Sequence, residues 1–276
     1  DAIERAGCTV VNCVPTMFLA MLSKENFSPA RLKTLRIGVI AGAGYSVEDF
    51  LYVQNTIGSH FTLMSSLGQT ECTAGLTVCN IDDPIEIKST TVGHFMNHVE
   101  GKIADMNTGA PLPTGETGEI CVRGYLTMQR YYGDAAETAK TLDADGWVHT
   151  GDLGAMDADG NITLKGRCKE LIIRGGENIS PLEIEQALAA NPAVALCKVI
   201  GVPDRHFGEE VCACIIRAPG AELDADAVRG WLRPRIAYFK IPRYVVFYDE
   251  LPKTHKGAVS TAECKKLAMR DLFGVE

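Results

Sequence analysis

Apolar positions along this chain fall into two textures. Leu35–Ala43 (LRIGVIAGA) is an unbroken apolar run, as in a parallel strand covered on both faces, and Ser46 stands as an N-cap before a helix over Val47–Ile57. Phe61–Met64 then reads as the next strand. Strand, helix, strand is the repeating unit of a layered α/β sheet. The opening DAIERAGCTVVNCVP reads as a helix already leading into a buried strand, as expected of a downstream piece of a longer protein.

From about Val92 to Lys165 the pattern changes to short strands broken by turn residues. Lys102–Asp105 and Glu119–Arg123 are separated by MNTGAPLPTGETG, and Asp157-Ala158-Asp159-Gly160 predicts a hairpin turn whose Gly supplies a positive φ. A boundary falls near Gly166–Lys169. Beyond it, Leu171–Ile173 predicts a strand, Ser180-Pro181 a helix start, and Leu182–Ala190 the helix, ending near Asn191-Pro192. Val194–Val202, Val211–Arg217 and Tyr244–Tyr248 read as strands and Asp224–Ile236 as a helix. The predicted fold is thus a layered α/β portion (about 1–90) with a β-rich subdomain (about 91–166), joined by a hinge to a small α+β C-terminal domain (167–276).

Composition narrows the function. The chain has 276 residues, 46% of them hydrophobic, and a net charge of −8. Without a long basic run it carries no nucleic-acid footprint. Its longest apolar runs fall far short of the ~18 residues of a membrane span. Ten cysteines in apolar stretches, without paired ligand spacing, fit a reduced, cytoplasmic compartment. The six histidines are scattered, so their spacing indicates neither a zinc site nor a catalytic triad.

Three segments carry candidate chemistry. Ser66-Leu67-Gly68-Gln69-Thr70-Glu71 follows the Phe61–Met64 strand, at the carboxyl end where open α/β sheets place ligands; a hydroxyl beside a carboxylate there suits a phosphate oxygen and a hard cation. Trp147-Val148-His149-Thr150-Gly151-Asp152-Leu153 holds a carboxylate on a Gly turn, suited to accept from two ribose hydroxyls. GRCKELIIRGGENISPLEIE, residues 166–185, sets Arg167 and Lys169 two apart at the domain junction and carries, midway, a double Gly open to close backbone approach. Each alone is also explained by an ordinary polar loop, β-turn or strand-turn-helix corner.

In order and spacing these segments resemble the adenylate-forming superfamily of acyl-CoA synthetases, luciferases and peptide-synthetase adenylation domains. SLGQTE is similar to its Tyr-Gly-x-Thr-Glu motif, WVHTGDL to its Thr-Gly-Asp motif, residues 166–185 to the acyl-CoA synthetase form of its hinge, and Gly42-Ala43-Gly44-Tyr45 to its Gly-Ala-Pro loop. The resemblance implies that Gly42, Ala43, Gly44 and Gln69 line the nucleotide and Thr70 contacts the α-phosphate. It further implies that Glu71 holds Mg2+, Asp152 the ribose hydroxyls and Arg167 the nucleotide. Lys169 becomes the hinge, and Gly175 and Gly176 the CoA tunnel. Leu67 replaces an aromatic beside adenine and Gly44-Tyr45 replaces Pro-Leu, which alters adenine packing and acyl-pocket shape. The implied activity is an ATP-dependent carboxylic acid–CoA ligation using ATP, Mg2+ and CoA. The acid is expected to be aliphatic, fatty or alicyclic; a homo-oligomer stays open. A carrier-protein-loading enzyme, an aryl acid ligase and a non-catalytic adenylate-binding protein are the alternatives.

The family's Ser/Thr/Gly-rich phosphate loop is missing, so the chain is expected to need an upstream part to bind ATP competently. One further position departs. Leu251-Pro252-Lys253-Thr254-His255-Lys256-Gly257-Ala258 is similar to the closing motif Pro-Lys-Thr-x-x-Gly-Lys at every fixed position except the last. The lysine expected there stabilises charge in the adenylation transition state. Ala258 is therefore expected to cripple adenylation and spare thioester formation, and an engineered change is favoured over natural degeneration because the rest of the motif is kept.

Overall fold

A computed structural model describes residues 1–254 and 258–275, which form two compact units, Asp1–Leu164 and Lys165–Glu276. The first opens with α1 (Ala2–Ala6), β1 (Val10–Cys13) and α2 (Pro15–Leu22), whose leading proline gives up no needed N–H. β2 (Ile37–Ile40), α3 (Val47–Ile57), β3 (Thr62–Leu67), β4 (Thr77–Val78), α4 (Ile85–Thr90) and β5 (His94–Phe95) follow. The strands form one sheet in the order β1-β2-β3-β4-β5. β1, β2 and β3 are parallel, and β4 and β5 antiparallel.

The predicted helix starts where Ser46 caps it. Ser46 Oγ accepts the Asp49 N–H at 3.0 Å and the Asp49 carboxylate accepts the Ser46 N–H at 3.5 Å, a capping box worth about 1 kcal/mol. The buried face of α3, Phe50, Val53 and Ile57, packs with Phe18, Leu35, Ile40, Phe61 and Leu63. Each such side chain contributes about 2 kcal/mol by burial. Two expectations change. β3 runs on through Ser66 and Leu67, which pair with Val78 and Thr77, so the loop begins at Gly68. β1 is not buried: it is the edge of the sheet, and Val10 is 49% exposed.

A second sheet completes this unit: β6 (Glu100–Ala104), β7 (Gly118–Arg123) and, after α5 (Ala135–Thr141), β8 (Val148–Met156) and β9 (Ile162–Arg167), side by side in that order. Ile103, Ile120, Val122, Val148 and Ile162 form its core, joined by Cys72 and Leu76 from the connection between β3 and β4. The Asp157–Gly160 turn forms as predicted, with Asp157 Oδ1 accepting the Asp159 and Asn161 N–H groups at 2.9 and 2.8 Å.

The second unit comprises β10 (Ile172–Arg174), β11 (Glu177–Ile179), α6 (Pro181–Ala189), β12 (Val194–Asp204), β13 (Gly208–Arg217), α7 (Ala225–Leu232), β14 (Tyr244–Phe247) and α8 (Thr261–Phe273). β12 and β13 form a long antiparallel hairpin, and β14 joins β13 in parallel. Alternate residues of β13 serve two cores. Val211, Ala213 and Ile215 pack with Ile184, Leu188, Val228 and Leu232, whereas Cys212 and Cys214 pack with Cys264 and Ala268 of α8. A strand covered on both faces needs apolar residues at every position, which is why Val211–Ile216 reads as a continuous run. Ser180 precedes α6 as expected, but its hydroxyl donates to the Lys165 carbonyl instead of capping the helix.

Candidate active site

In the first unit two loops leave the carboxyl ends of neighbouring parallel strands, the position at which open α/β sheets bind ligands. Gly42, Ala43 and Gly44 follow β2 and are exposed; no atom lies within 4 Å of where a side chain on Gly44 would begin. Tyr45 ties this loop to the next strand through a hydrogen bond between its hydroxyl and Ser65 Oγ. Burial pushes its phenol up to about 12, against a smaller opposing pull from Ser65.

The second loop, Gly68 to Ala74, is closed by its own backbone. The Cys72 and Ala74 N–H groups both donate to the Gln69 carbonyl at 3.0 Å, and the Leu76 N–H to Leu67 at 2.9 Å. A Cβ at residue 68 would stand 1.9 Å from the Ala74 carbonyl oxygen, so only Gly permits this closure. Thr73, at φ 54°, holds a left-handed conformation uncommon for a β-branched residue, anchored by its hydroxyl on Leu126 O at 2.7 Å. Thr70 is exposed at the tip of the turn Thr70–Cys72.

Glu71 is held from a distant segment. Tyr131 donates its hydroxyl to Glu71 Oε1 at 2.6 Å, and the Met128 N–H donates to the Glu71 carbonyl at 2.7 Å. The Glu71 carboxylate, and secondarily burial, raise the Tyr131 phenol above its ordinary value. One carboxylate beside an exposed hydroxyl is a donor set that fits Mg2+, which takes one or two carboxylates and completes its shell with phosphate and water. Sequence reasoning missed Tyr131: it lies 60 residues from Glu71, and no local pattern links them.

Asp152 comes to its place through a bulge. Glu119 pairs with Leu153 and Cys121 with His149, so Ile120 alone on β7 faces Thr150, Gly151 and Asp152 on β8. Gly151 takes the turn at φ 70°, its N–H donating to Glu119 Oε1 at 2.9 Å. The Thr150 hydroxyl donates to Ile120 O at 2.7 Å and accepts the Asp152 N–H at 3.1 Å. Bulges re-aim side chains in this way beside functional sites. Asp152 is buried, and it lies close enough to the Gly68–Ala74 loop to act on Cys72: burial drives that thiol up to about 11, with Glu71 and Asp152 adding to the rise. Asp152 thus lies near Cys72, within the loop that carries Gln69 and Glu71.

The remaining predicted residues lie in the second unit. Arg167 ends β9 and Lys169 sits in the short helical turn Cys168–Glu170, both exposed. That turn is anchored by Glu170, which receives Lys198 at 3.3 Å and the Thr261 hydroxyl at 3.3 Å. Gly175 and Gly176 form the two-residue turn between β10 and β11, at φ 58° and 91°, beside Arg174, whose guanidinium lies 4.0 Å over the Phe207 ring. Ala258 is exposed; its carbonyl accepts the Thr254 N–H at 2.7 Å, and Lys253 bridges Val259. His255, Lys256 and Gly257 of the same motif lie outside the described residues.

Loops at the carboxyl edge of a parallel sheet, followed by a β-rich layer and a separate α+β unit, define a class. The AMP-binding enzyme family matches residues 1–132 and the AMP-binding enzyme C-terminal domain matches residues 183–258; the chain belongs to the adenylate-forming superfamily. Among its relatives, YngI of Bacillus subtilis is 40% identical over 257 residues, 93% of this chain and 47% of that protein. The mitochondrial medium-chain acyl-CoA ligase ACSF2 of Danio rerio is 36% identical over 272 residues, 98% of this chain and 45% of that protein. ATP-bound MatB of Rhodopseudomonas palustris shares the fold with a TM-score of 0.88 at 31% identity, covering 96% of this chain and 52% of that one. The chain spans about half the length of the curated relatives it matches.

Proposed function

We propose that the native protein is an ATP-dependent acid–CoA ligase acting on an aliphatic, medium-chain carboxylic acid. The observation that carries this reading is the loop after β3 that presents Thr70 beside a Glu71 held by Tyr131, together with the bulge that presents Asp152; the named activity of ACSF2 supports the substrate class. The acid carboxylate attacks the α-phosphorus of ATP, a P–O bond forms, and pyrophosphate leaves with the electrons of the broken P–O bond. Thr70 donates to the α-phosphate and Asp152 accepts from the ribose hydroxyls. Glu71, oriented by Tyr131, holds Mg2+, which supplies charge neutralisation at the phosphates. Arg167 pairs with the nucleotide.

The CoA thiolate then attacks the acyl carbonyl and AMP departs. Lys169 is the pivot for the change between half-reactions, and the exposed Gly175-Gly176 turn lines the path of the thiol. Ala258 offers no ammonium to the first half-reaction and leaves the second untouched. The test supplies the native protein with preformed octanoyl-adenylate and CoA, with benzoyl- and malonyl-adenylates as competitors. Octanoyl-CoA should form fastest. Thioester formation no faster than without protein overturns the ligase reading and leaves an adenylate-binding protein in its place.

A further inference from the structure

Three ligand-type side chains meet away from the loops at the sheet edge. Cys121 and His149 stand opposite each other across β7 and β8, and Glu119 lies two residues before Cys121 on the same strand face. Glu119, Cys121 and His149 each bring one ligand atom within 4.8 Å of the others. Sγ of Cys121 is 3.6 Å from Nδ1 of His149, which is 2.8 Å from Oε2 of Glu119. A tetrahedral ion with zinc-type bonds, ~2.3 Å to sulfur and ~2.05 Å to nitrogen or oxygen, holds S and N about 3.6 Å apart and N and O about 3.3 Å apart. The Cys–His separation already has that value. The Glu119 oxygen needs to withdraw by about 0.5 Å, a small side-chain rotation.

The surroundings hold each donor in place. His149 Nε2 faces Asp143 Oδ2 at 3.6 Å, while Asp143 Oδ1 is fixed by the Asp145 and Trp147 N–H groups at 2.9 and 2.8 Å. Without an ion Nδ1 donates to the Glu119 carboxylate at 2.8 Å; an ion at Nδ1 moves the imidazole proton to Nε2, where the Asp143 carboxylate stands to receive it. Glu119 divides its oxygens, Oε1 to the Gly151 N–H at 2.9 Å and Oε2 toward His149. Cys121 is fully buried, whereas the Glu119 and His149 side chains keep 15% and 29% exposure, a route for an ion and a water. Thiolate and imidazole together select zinc-class ions and not Mg2+.

We propose that Glu119, Cys121 and His149 bind a zinc-class divalent cation, with Asp143 positioning the imidazole and water as fourth ligand. Binding releases the Cys121 thiol proton to solvent as the sulfur–metal bond forms. Because Glu119 also holds the Gly151 N–H, the ion braces the turn that carries Asp152.

The test titrates the full chain with Co2+ under anaerobic conditions, following thiolate-to-cobalt charge-transfer and visible absorption, so it does not depend on enzymatic activity. One equivalent of Co2+ should produce both bands; Zn2+ should abolish them and Mg2+ should not. Cys121→Ser should remove the charge-transfer band, and His149→Ala should weaken Co2+ binding at least tenfold. Asp143→Asn should weaken it about tenfold with the band retained, as expected of a positioning residue. Cys8→Ser, outside the cluster, should change nothing. Should Cys121→Ser fail to fold, Glu119→Gln decides: the band persists and binding weakens. A band that survives in Cys121→Ser, unchanged Co2+ binding in Glu119→Gln, or no band with excess Co2+ overturns the site.

Discussion

Replacing Ala258 by lysine tests the division of labour between the two half-reactions. The position is exposed and its backbone is pinned by the Thr254 N–H and the Lys253–Val259 bridge, so Ala258→Lys should alter stability by no more than about 0.5 kcal/mol. A preorganised donor to developing charge contributes about 2.7–4 kcal/mol, or 10²–10³ in rate. An exposed lysine must first be ordered, at a cost of about 1.5–2 kcal/mol. The net gain therefore lies between about 0.7 and 2.5 kcal/mol, and at ~1.36 kcal/mol per decade its midpoint is close to 15-fold. Pyrophosphate release with ATP and octanoate reports adenylation in the native protein; octanoyl-CoA formation from preformed adenylate reports the second step. The first should rise by about 15-fold and the second should stay within about twofold. A rise below about threefold in the first, or a parallel rise in both, refutes the assignment.

Three further perturbations address the scaffold. Tyr131→Phe removes the hydroxyl that orients Glu71 and should raise the Mg2+ concentration needed for half-maximal pyrophosphate release about tenfold; an unchanged Mg2+ titration separates Glu71 from the metal. Gly68→Ala forces a methyl against the Ala74 carbonyl and should cost about 1–3 kcal/mol in urea denaturation; a cost below about 0.5 kcal/mol would mean the loop is not closed as described. Burial alone would lower the Lys198 pKa, but Glu185 and Glu170, at 3.1 and 3.3 Å, overcome it and raise the value. A raised folded value means that this stabilisation is complete below the unfolded pKa of ~10.4 and is lost as pH rises through the folded one. Thermal melts at increasing alkaline pH should show that loss in the native chain and a shallower one in Lys198→Met, from a lower baseline; parallel curves count against the pairing.

Elements whose burial follows a single period were legible in the sequence. Ser46 as N-cap marked α3, with bounds that agree at both ends, and its buried Phe50, Val53 and Ile57 fall on one helical face. The apolar run of β13 was legible because both of its faces are covered. α8 was not, since the positions it buries most deeply are Cys264 and Ala268, too small to raise an apolar stripe. α2 was hidden by Pro15, which read as the end of a strand and is instead the first residue of a helix. β4 and β5, two residues each, carry no periodicity.

The candidate site divides along the same line, between what a short segment specifies and what register specifies. Gln69, Thr70, Glu71 and Asp152 each sit in a local motif that a reader can name. Glu119 does not, because its relation to Asp152 exists only once β7 and β8 pair with three residues facing one. The scattered cysteines and histidines pointed away from a metal, yet that register sets Cys121 against His149, 28 residues apart. Side chains on a strand alternate between faces, so a slip of one residue would turn Cys121 from His149 and carry Glu119 off the Gly151 N–H. The bulge that presents Asp152 and the cluster behind it are therefore one structural feature, and a change that repairs the bulge should disrupt both.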